Sequence, residues 1–305
     1  SLKNNMPKSL KIYIFLLVLI FIGIIWADAT KERPIDWRES YSLNEKIPFG
    51  LYVFNQEHKA IFKPQTVEKF SESPYEFLDK NYNTYDSIYD IEGTILLIQN
   101  KSAIDEFSEN ELFYFASHRN AIFYSNSNFS QKFADSLGFE IEYSNDFADS
   151  LQFKINQNQK AGNFYFNKGI NTAYFSKIDS SKTEVLGTQI NSKGEEFANF
   201  IKVKHLNGNF YLHLQPVAFT NYYLLNKNSQ YTEDILGYIP SKSPIYWKVK
   251  QYDNEELSSS PMRYLLSQPA LKWAWFLAWI TLMIFIVFNA KRRQRIIPIK
   301  KKKKN

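Results

Sequence analysis

The chain has 305 residues and no cysteine, with 37 Lys and Arg against 31 Asp and Glu for a formal net charge of +6. The missing cysteine excludes disulfides, thiolate metal centres and a cysteine nucleophile. All 31 acidic residues lie between Asp28 and Met262; three of the 37 basic residues precede Asp28 and eleven follow Met262, leaving 23 against 31, a net of −8, so a nucleic-acid role inferred from the basic pI averages regions of opposite sign.

In chain order, the first feature is an uninterrupted apolar run from Ile12 to Ala27, preceded by Lys3, Lys8 and Lys11. It exceeds the about 7–15 residues of a secretory-signal core, which favours an uncleaved transmembrane anchor over a signal cleaved near Ala27-Asp28-Ala29. "LYVFNQ" (51–56) reads as a strand and "QTVEKFSES" behind it as a short helix. "GTILLIQN" (93–100) is a strand buried on both faces, and "SENELFYFASHR" is a helix with Ser108 and Glu111 in capping-box spacing. "NAIFYSN" (120–126) is a strand and "NFSQKFADSLGF" a helix closed by Gly138, with Asn126 and Asn128 as candidate caps. Strand and helix alternate here as in a doubly wound, largely parallel α/β sheet.

The second half is richer in β-formers. "GNFYFN", "NTAYFSKI" and "TEVLGTQIN" read as strands, and "FIKVKHLNGNFYLHLQP" reads as a hairpin turning at Asn207-Gly208. "QYTEDILGYI" is a short helix and "SPIYWKVKQY" a last strand. Trp273 to Ala290 is a second charge-free run of membrane length, with Trp273, Trp275 and Trp279 at its start. Lys291, Arg292, Arg293 and Arg295 follow it, where cations near a membrane surface set orientation. These charges predict a bacterial inner-membrane protein with both termini cytoplasmic. The predicted divisions are a cytoplasmic end and first span (1–27), a periplasmic α/β domain (28–262), a juxtamembrane segment and second span (263–290), and a basic tail (291–305).

"DWRESYSLNEKIPFGLYVF", "LHLQPVAFTNYYLL", "SSPMRYLLSQPALKWAWFLAW" and "KRRQRIIPI", in that order, resemble the bacterial domain-of-unknown-function family 4350 of Bacteroidetes. The resemblance covers nearly the whole chain and is loosest from Gln152 to Glu196. It implies a soluble domain with a class I glutamine amidotransferase-like, flavodoxin-like fold. It also implies the company of MoxR-type AAA+ ATPases and von Willebrand A-like membrane proteins, without an established activity.

In amidotransferase-like folds a nucleophile stands on a strand-to-helix turn, with a histidine late in the chain. The matching positions are Ser125 or Ser127 in "FYSNSNF" and His213 in "HLQP", although no glycine flanks either serine to relax the turn. An envelope serine hydrolase is therefore the alternative to a non-catalytic docking or sensing domain. His58, His118, His205 and His213 share no metal-ligand spacing, and His205 and His213 flank the hairpin, where they could face each other. No nucleotide-binding or zinc-protease motif occurs, so no metal and no cofactor is expected. Asn221, Tyr222 and Tyr223 in "FTNYYLL" are the candidates for a partner surface. The resulting expectation is a membrane-anchored, non-catalytic interaction protein that binds protein partners and no nucleic acid.

Overall fold

The computed structural model describes residues 35–100, 104–144, 150–156, 163–226, 228–250 and 269–289, with isolated positions between 12 and 26. The chain divides into two units, Ser1–Val249 and Lys250–Asn305.

The first unit is built on an eleven-stranded sheet. Its strands are β1 (Val67–Phe70), β4 (Thr94–Ile98), β5 (Ala121–Ser125), β6 (Phe139–Tyr143), β7 (Leu151–Ile155), β8 (Phe164–Phe166), β9 (Ala173–Ile178), β10 (Thr183–Ile190), β11 (Glu196–His205), β12 (Gly208–His213) and β13 (Ile245–Lys248). A separate two-stranded ribbon consists of β2 (Tyr82–Asn83) and β3 (Ile88–Tyr89). The order across the large sheet is β1-β13-β4-β5-β12-β11-β10-β7-β8, with β9 joined to β11 and β6 joined to β9. β1, β13, β4, β5 and β12 run parallel to one another, whereas β12 pairs antiparallel with β11, and every described pairing beyond it is antiparallel too.

The expected doubly wound, largely parallel, flavodoxin-like sheet flanked by two transmembrane helices is therefore corrected to a mixed sheet. The physical reason lies in the connections. β11 returns into β12 through Leu206 and Asn207 alone, with Leu206 in the left-handed region at φ 49, and so short a loop joins only antiparallel neighbours. The turn sits one residue earlier than Asn207-Gly208. It also separates the histidines: His205 opposes Gly208 while His213 opposes Phe200, at the other end of the hairpin.

Helices cover both faces of the parallel strands. α1 (Tyr52–Ile61), α5 (Asn221–Leu224) and α6 (Ser229–Leu236), with the 3-10 turn Pro216–Phe219, lie over one face; α2 (Pro74–Asp79), α3 (Glu106–Ser117) and α4 (Gln131–Leu137) lie over the other. β4 explains the arrangement: Leu96 and Ile98 enter the first layer, Ile95 and Leu97 the second, and all four are buried. The same alternation divides β5 into Phe123 and the pair Ile122 and Tyr124.

Two local expectations are inverted. "LYVFNQ" opens α1 rather than a strand; only with His58, beyond that stretch, do the buried positions Leu51, Phe54 and His58 show helical spacing. No side chain at the N-cap position caps this helix; instead Asn221, far along the chain, accepts from Val53 N at 2.7 Å. "QTVEKFSES" forms β1, an edge strand recruited by parallel pairing of Val67 to Phe70 with Ile245 to Lys248. The caps also shift. Asp105 caps α3 through Ser108 N at 2.9 Å, with Ser108 returning its hydroxyl to Asp105, and Ser130 rather than Asn126 or Asn128 caps α4. Gly138 closes α4 in the left-handed region, as its position implies.

The second unit contains α7 (Pro269–Asn289), in which the Trp275 and Trp279 rings lie 6.1 Å apart. Among the described residues no helix is long and apolar enough to cross a membrane. The two-span, inner-membrane expectation is corrected accordingly. Only isolated positions of the first run, Ile12 to Ala27, are described. Lys291, Arg292, Arg293 and Arg295 lie outside the described residues.

Gly208 gives a direct test of the packing between the hairpin and the helix layer. A Cβ there would stand 2.1 Å from the Ala116 carbonyl oxygen and 2.3 Å from that of Asn120, both backbone atoms that cannot rotate away. Gly208→Ala is expected to cost about 2–4 kcal/mol, seen as a lowered urea midpoint at unchanged m-value.

Candidate functional site

The carboxyl ends of β4, β5 and β12 bring the predicted residues together. Ile98, Ser125 and His213 are register partners on three adjacent parallel strands, tied beyond their ends by Gln99 N to Ser125 O and Asn126 N to His213 O, both at 3.0 Å. This is the edge of a parallel sheet where α/β folds commonly place ligands. Ser125 Oγ lies 2.9 Å from His213 Nδ1, so the serine and histidine singled out in the sequence are in hydrogen-bond contact.

The pair differs from a hydrolytic one in three respects. On its other side His213 Nε2 meets the Tyr231 hydroxyl at 3.2 Å, so the third member is a phenol rather than a carboxylate. Nδ1 faces the serine, whereas in hydrolase triads Nε2 faces the nucleophile and Nδ1 the acid. Asn199 Nδ2 donates to the Tyr231 oxygen at 3.2 Å.

Burial is the third difference. Ser125, His213, Tyr231 and Asn199 are all completely buried, and the His213 ring meets Phe200 and Phe219 edge-on at 5.6 and 5.8 Å. Burial alone lowers the His213 pKa from 6.5 to about 3 and raises that of Tyr231. A general base poised near neutrality is not present at this position.

Ser127 stands two residues further on and belongs to a separate network. Its hydroxyl donates to Asn100 Oδ1 at 2.7 Å, and the Asn100 amide donates to Glu39. It is 3% exposed. The remaining histidines are dispersed. His58 hydrogen-bonds Asn55 O, His118 packs against Tyr114 at 4.6 Å, and His205 packs against Phe113 at 5.2 Å. No group of three metal-ligating side chains occurs among the described residues.

The three partner candidates divide in role. Asn221 is buried and joins chain segments: it accepts from Val53 N and donates to the carbonyls of Glu45 and Ile47 at 2.9 and 2.7 Å. Tyr223 is buried too, its hydroxyl accepting from Asn167 N and Lys168 N and donating to Lys168 O at 2.7 Å. Tyr222 alone is partly exposed. It packs against Trp37 at 5.5 Å and Tyr223 at 4.9 Å and borders a cleft of about 540 Å3 that sequence reasoning missed. The cleft's other walls, Asn163 to Asn167 on and around β8, lie far away in sequence, and only the clustering of Asn and Tyr hinted at them. A second cleft, about 480 Å3, runs between α1 and α6 over Val53, Leu224 and Leu236, with Glu57, Lys63 and Glu233 among its lining residues.

No protein-family model matches the chain, and no curated protein matches it significantly. Among solved structures it is similar to an exo-β-1,4-mannosidase from Opitutaceae bacterium strain TAV5, at 12% identity and a TM-score of 0.35 over 49% of this chain and 25% of the other. A catalytic mutant of a β-galactosidase from G. stearothermophilus shares 10% identity at a TM-score of 0.31 over 55% of this chain and 26% of the other. A carbohydrate deacetylase shares 8% at 0.28, over 48% and 32%. The chain thus spans about a quarter to a third of these proteins, and likeness at these scores carries no fold or activity over to it.

The buried histidine makes a pH prediction. Below about pH 6.5 the unfolded chain takes up a proton at His213 that the folded protein refuses until about pH 3, so its contribution to stability is complete above pH 6.5 and lost as pH falls through that window. Between about pH 6.5 and about pH 5 this amounts to about 2 kcal/mol. In urea titrations across that range, His213→Gln should show a shallower acid loss than the parent chain, because carboxylates contribute equally to both.

Proposed function

We propose that this chain is a non-catalytic interaction domain. The observation that carries this reading is the sealing of the Ser125–His213 pair: both side chains are completely buried, His213 is held neutral, and its second nitrogen meets Tyr231 rather than an acid. A substrate carbonyl has no route to Ser125 Oγ in this arrangement, and the pair's hydrogen bonds go to positioning strands instead. The resemblance to family 4350 supplies the partner class, a MoxR-type AAA+ ATPase or a von Willebrand A-like protein. An acidic central region with many half-exposed aromatics is compatible with docking such proteins and unsuited to nucleic acid.

Fluorophosphonate labelling tests the reading directly. The purified chain should remain unlabelled at Ser125, should turn over no p-nitrophenyl ester faster than its Ser125→Ala variant, and should capture the same protein partner with or without that substitution. Covalent modification of Ser125 that disappears in His213→Gln would overturn the proposal and restore the serine-hydrolase alternative.

A further inference from the structure

We infer that the cleft beside Tyr222 is a binding site for a neutral carbohydrate, a role that goes beyond the docking reading and does not depend on it. Its described lining is Phe164, Tyr165, Tyr222, Tyr223 and four asparagines, Asn163, Asn167, Asn226 and Asn228. None of these residues carries a charge. A charged ligand would meet no counter-charge among these lining side chains, which favours a neutral one.

The lining matches the two surfaces of a pyranose. Tyr165, 58% exposed, and the partly exposed Tyr222 present aromatic faces of the kind that pack against the C–H face of a sugar ring. Tyr222 is held in place by edge-on contacts with Trp37 and Tyr223 at 5.5 and 4.9 Å, and its backbone nitrogen donates to Pro48 O at 2.9 Å. A platform fixed before the ligand arrives loses little side-chain freedom on binding.

The amides supply the polar half. Asn167 Oδ1 accepts from the Tyr222 hydroxyl at 3.4 Å, which leaves its NH2 group for a ligand. Asn228 donates to Tyr165 O at 2.8 Å and Asn226 donates to Tyr222 O, which leaves both side-chain carbonyls as acceptors. The lining thus offers both donors and acceptors, and sugar hydroxyls, each able to donate and accept, satisfy both. A cleft of about 540 Å3 falls within the roughly 300–1,000 Å3 of small-ligand sites and suits a short glycan segment. The other ligand of aromatic grooves, a polyproline segment, has one carbonyl and no donor per residue and leaves the asparagine carbonyls unmatched.

Calorimetric titration of the full chain with cellohexaose, β-1,4-mannohexaose and maltohexaose, and separately with a decaproline peptide, tests the site. At least one hexasaccharide should bind with millimolar or tighter affinity, and Tyr165→Ala should weaken it about tenfold, the effect of losing one stacking face. Tyr165 is exposed, so its replacement leaves the core untouched; Tyr222→Phe, which keeps the ring, should retain most of the affinity, whereas Asn167→Asp should reduce it. The inference is overturned if none of the three sugars binds at about 10 mM, if binding is indifferent to Tyr165→Ala, or if only the peptide binds. Protein capture and Ser125 labelling do not report on this cleft, so failure here leaves the docking reading standing.

Discussion

The fold turns on one buried neutral histidine. His213 ends β12, the strand at which the parallel and antiparallel halves of the sheet meet, and its two ring nitrogens reach in opposite directions, to Ser125 on β5 and to Tyr231 on α6. Tyr231 in turn receives a hydrogen bond from Asn199 on β11. One polar chain therefore ties the strand on either side of β12 to the helix layer above, in a region otherwise filled by Phe123, Phe153, Phe166, Phe200 and Phe219. A neutral imidazole is tolerated there because both nitrogens are partnered; an imidazolium is not, which is the meaning of its depressed pKa.

The same interior closes the crevice that a parallel sheet ordinarily leaves open at its carboxyl edge. The segment before α1 folds back on itself, with Tyr41 N bonded to Phe49 O at 3.0 Å and Leu51 N to Ser42 O at 2.9 Å, and it buries Tyr41, Phe49 and Leu51 in the layer that holds His213's neighbours. Asn221 fastens this segment to α5 and caps α1 from 168 residues away. The same stretch of chain reaches the carboxyl edge of β4, where Glu39 accepts from Asn100. Open concave surface is left at the flank, between α5 and β8, where Tyr222 and Tyr165 stand.

The parts of this architecture visible in the sequence are those encoded locally. β4 announces itself as five consecutive apolar or β-branched residues, α3 by the spacing of Leu112, Phe115 and Ala116, and α4 by Gly138. α1 and β1 misled because their identities are settled by distant partners, Asn221 for the one and β13 for the other, and local periodicity over six residues does not discriminate. In the antiparallel half β8 to β12 and the β11–β12 hairpin were legible, whereas β6 and β7 were not, and neither was the pairing of β9 with β11 through Ala198 and Phe175, which crosses a gap no local signal spans. At the site, sequence reasoning selected Ser125 and His213 from a fold analogy, and the two are in contact. It missed Tyr231 and Asn199, which lie on other elements, and it had no means of seeing that the four are sealed. Tyr222 and Tyr223 are neighbours in sequence with opposite fates, because helix α5 turns one toward the cleft and the other into the core.

Why a polar chain occupies a core that aromatics could fill follows from the register it imposes. Replacing every partner by apolar groups of matching shape can be energetically neutral, so the network is not required for stability alone. It is required for alignment: β12 must pair with β5 in parallel and β11 in antiparallel fashion at once, and a slip of one residue on either side would turn His213 toward the opposite helix layer and strand Ser125 and Tyr231 without partners. Asn199 already carries a buried carbonyl oxygen without a hydrogen bond, and β10 and β11 shift register around it. That irregularity brings its amide to Tyr231 and keeps the network intact where the regular ladder would have carried the side chain elsewhere. A Ser–His contact at the carboxyl edge of a parallel sheet is thus explained here as a registration device between two halves of one sheet, and its chemistry is spent on geometry.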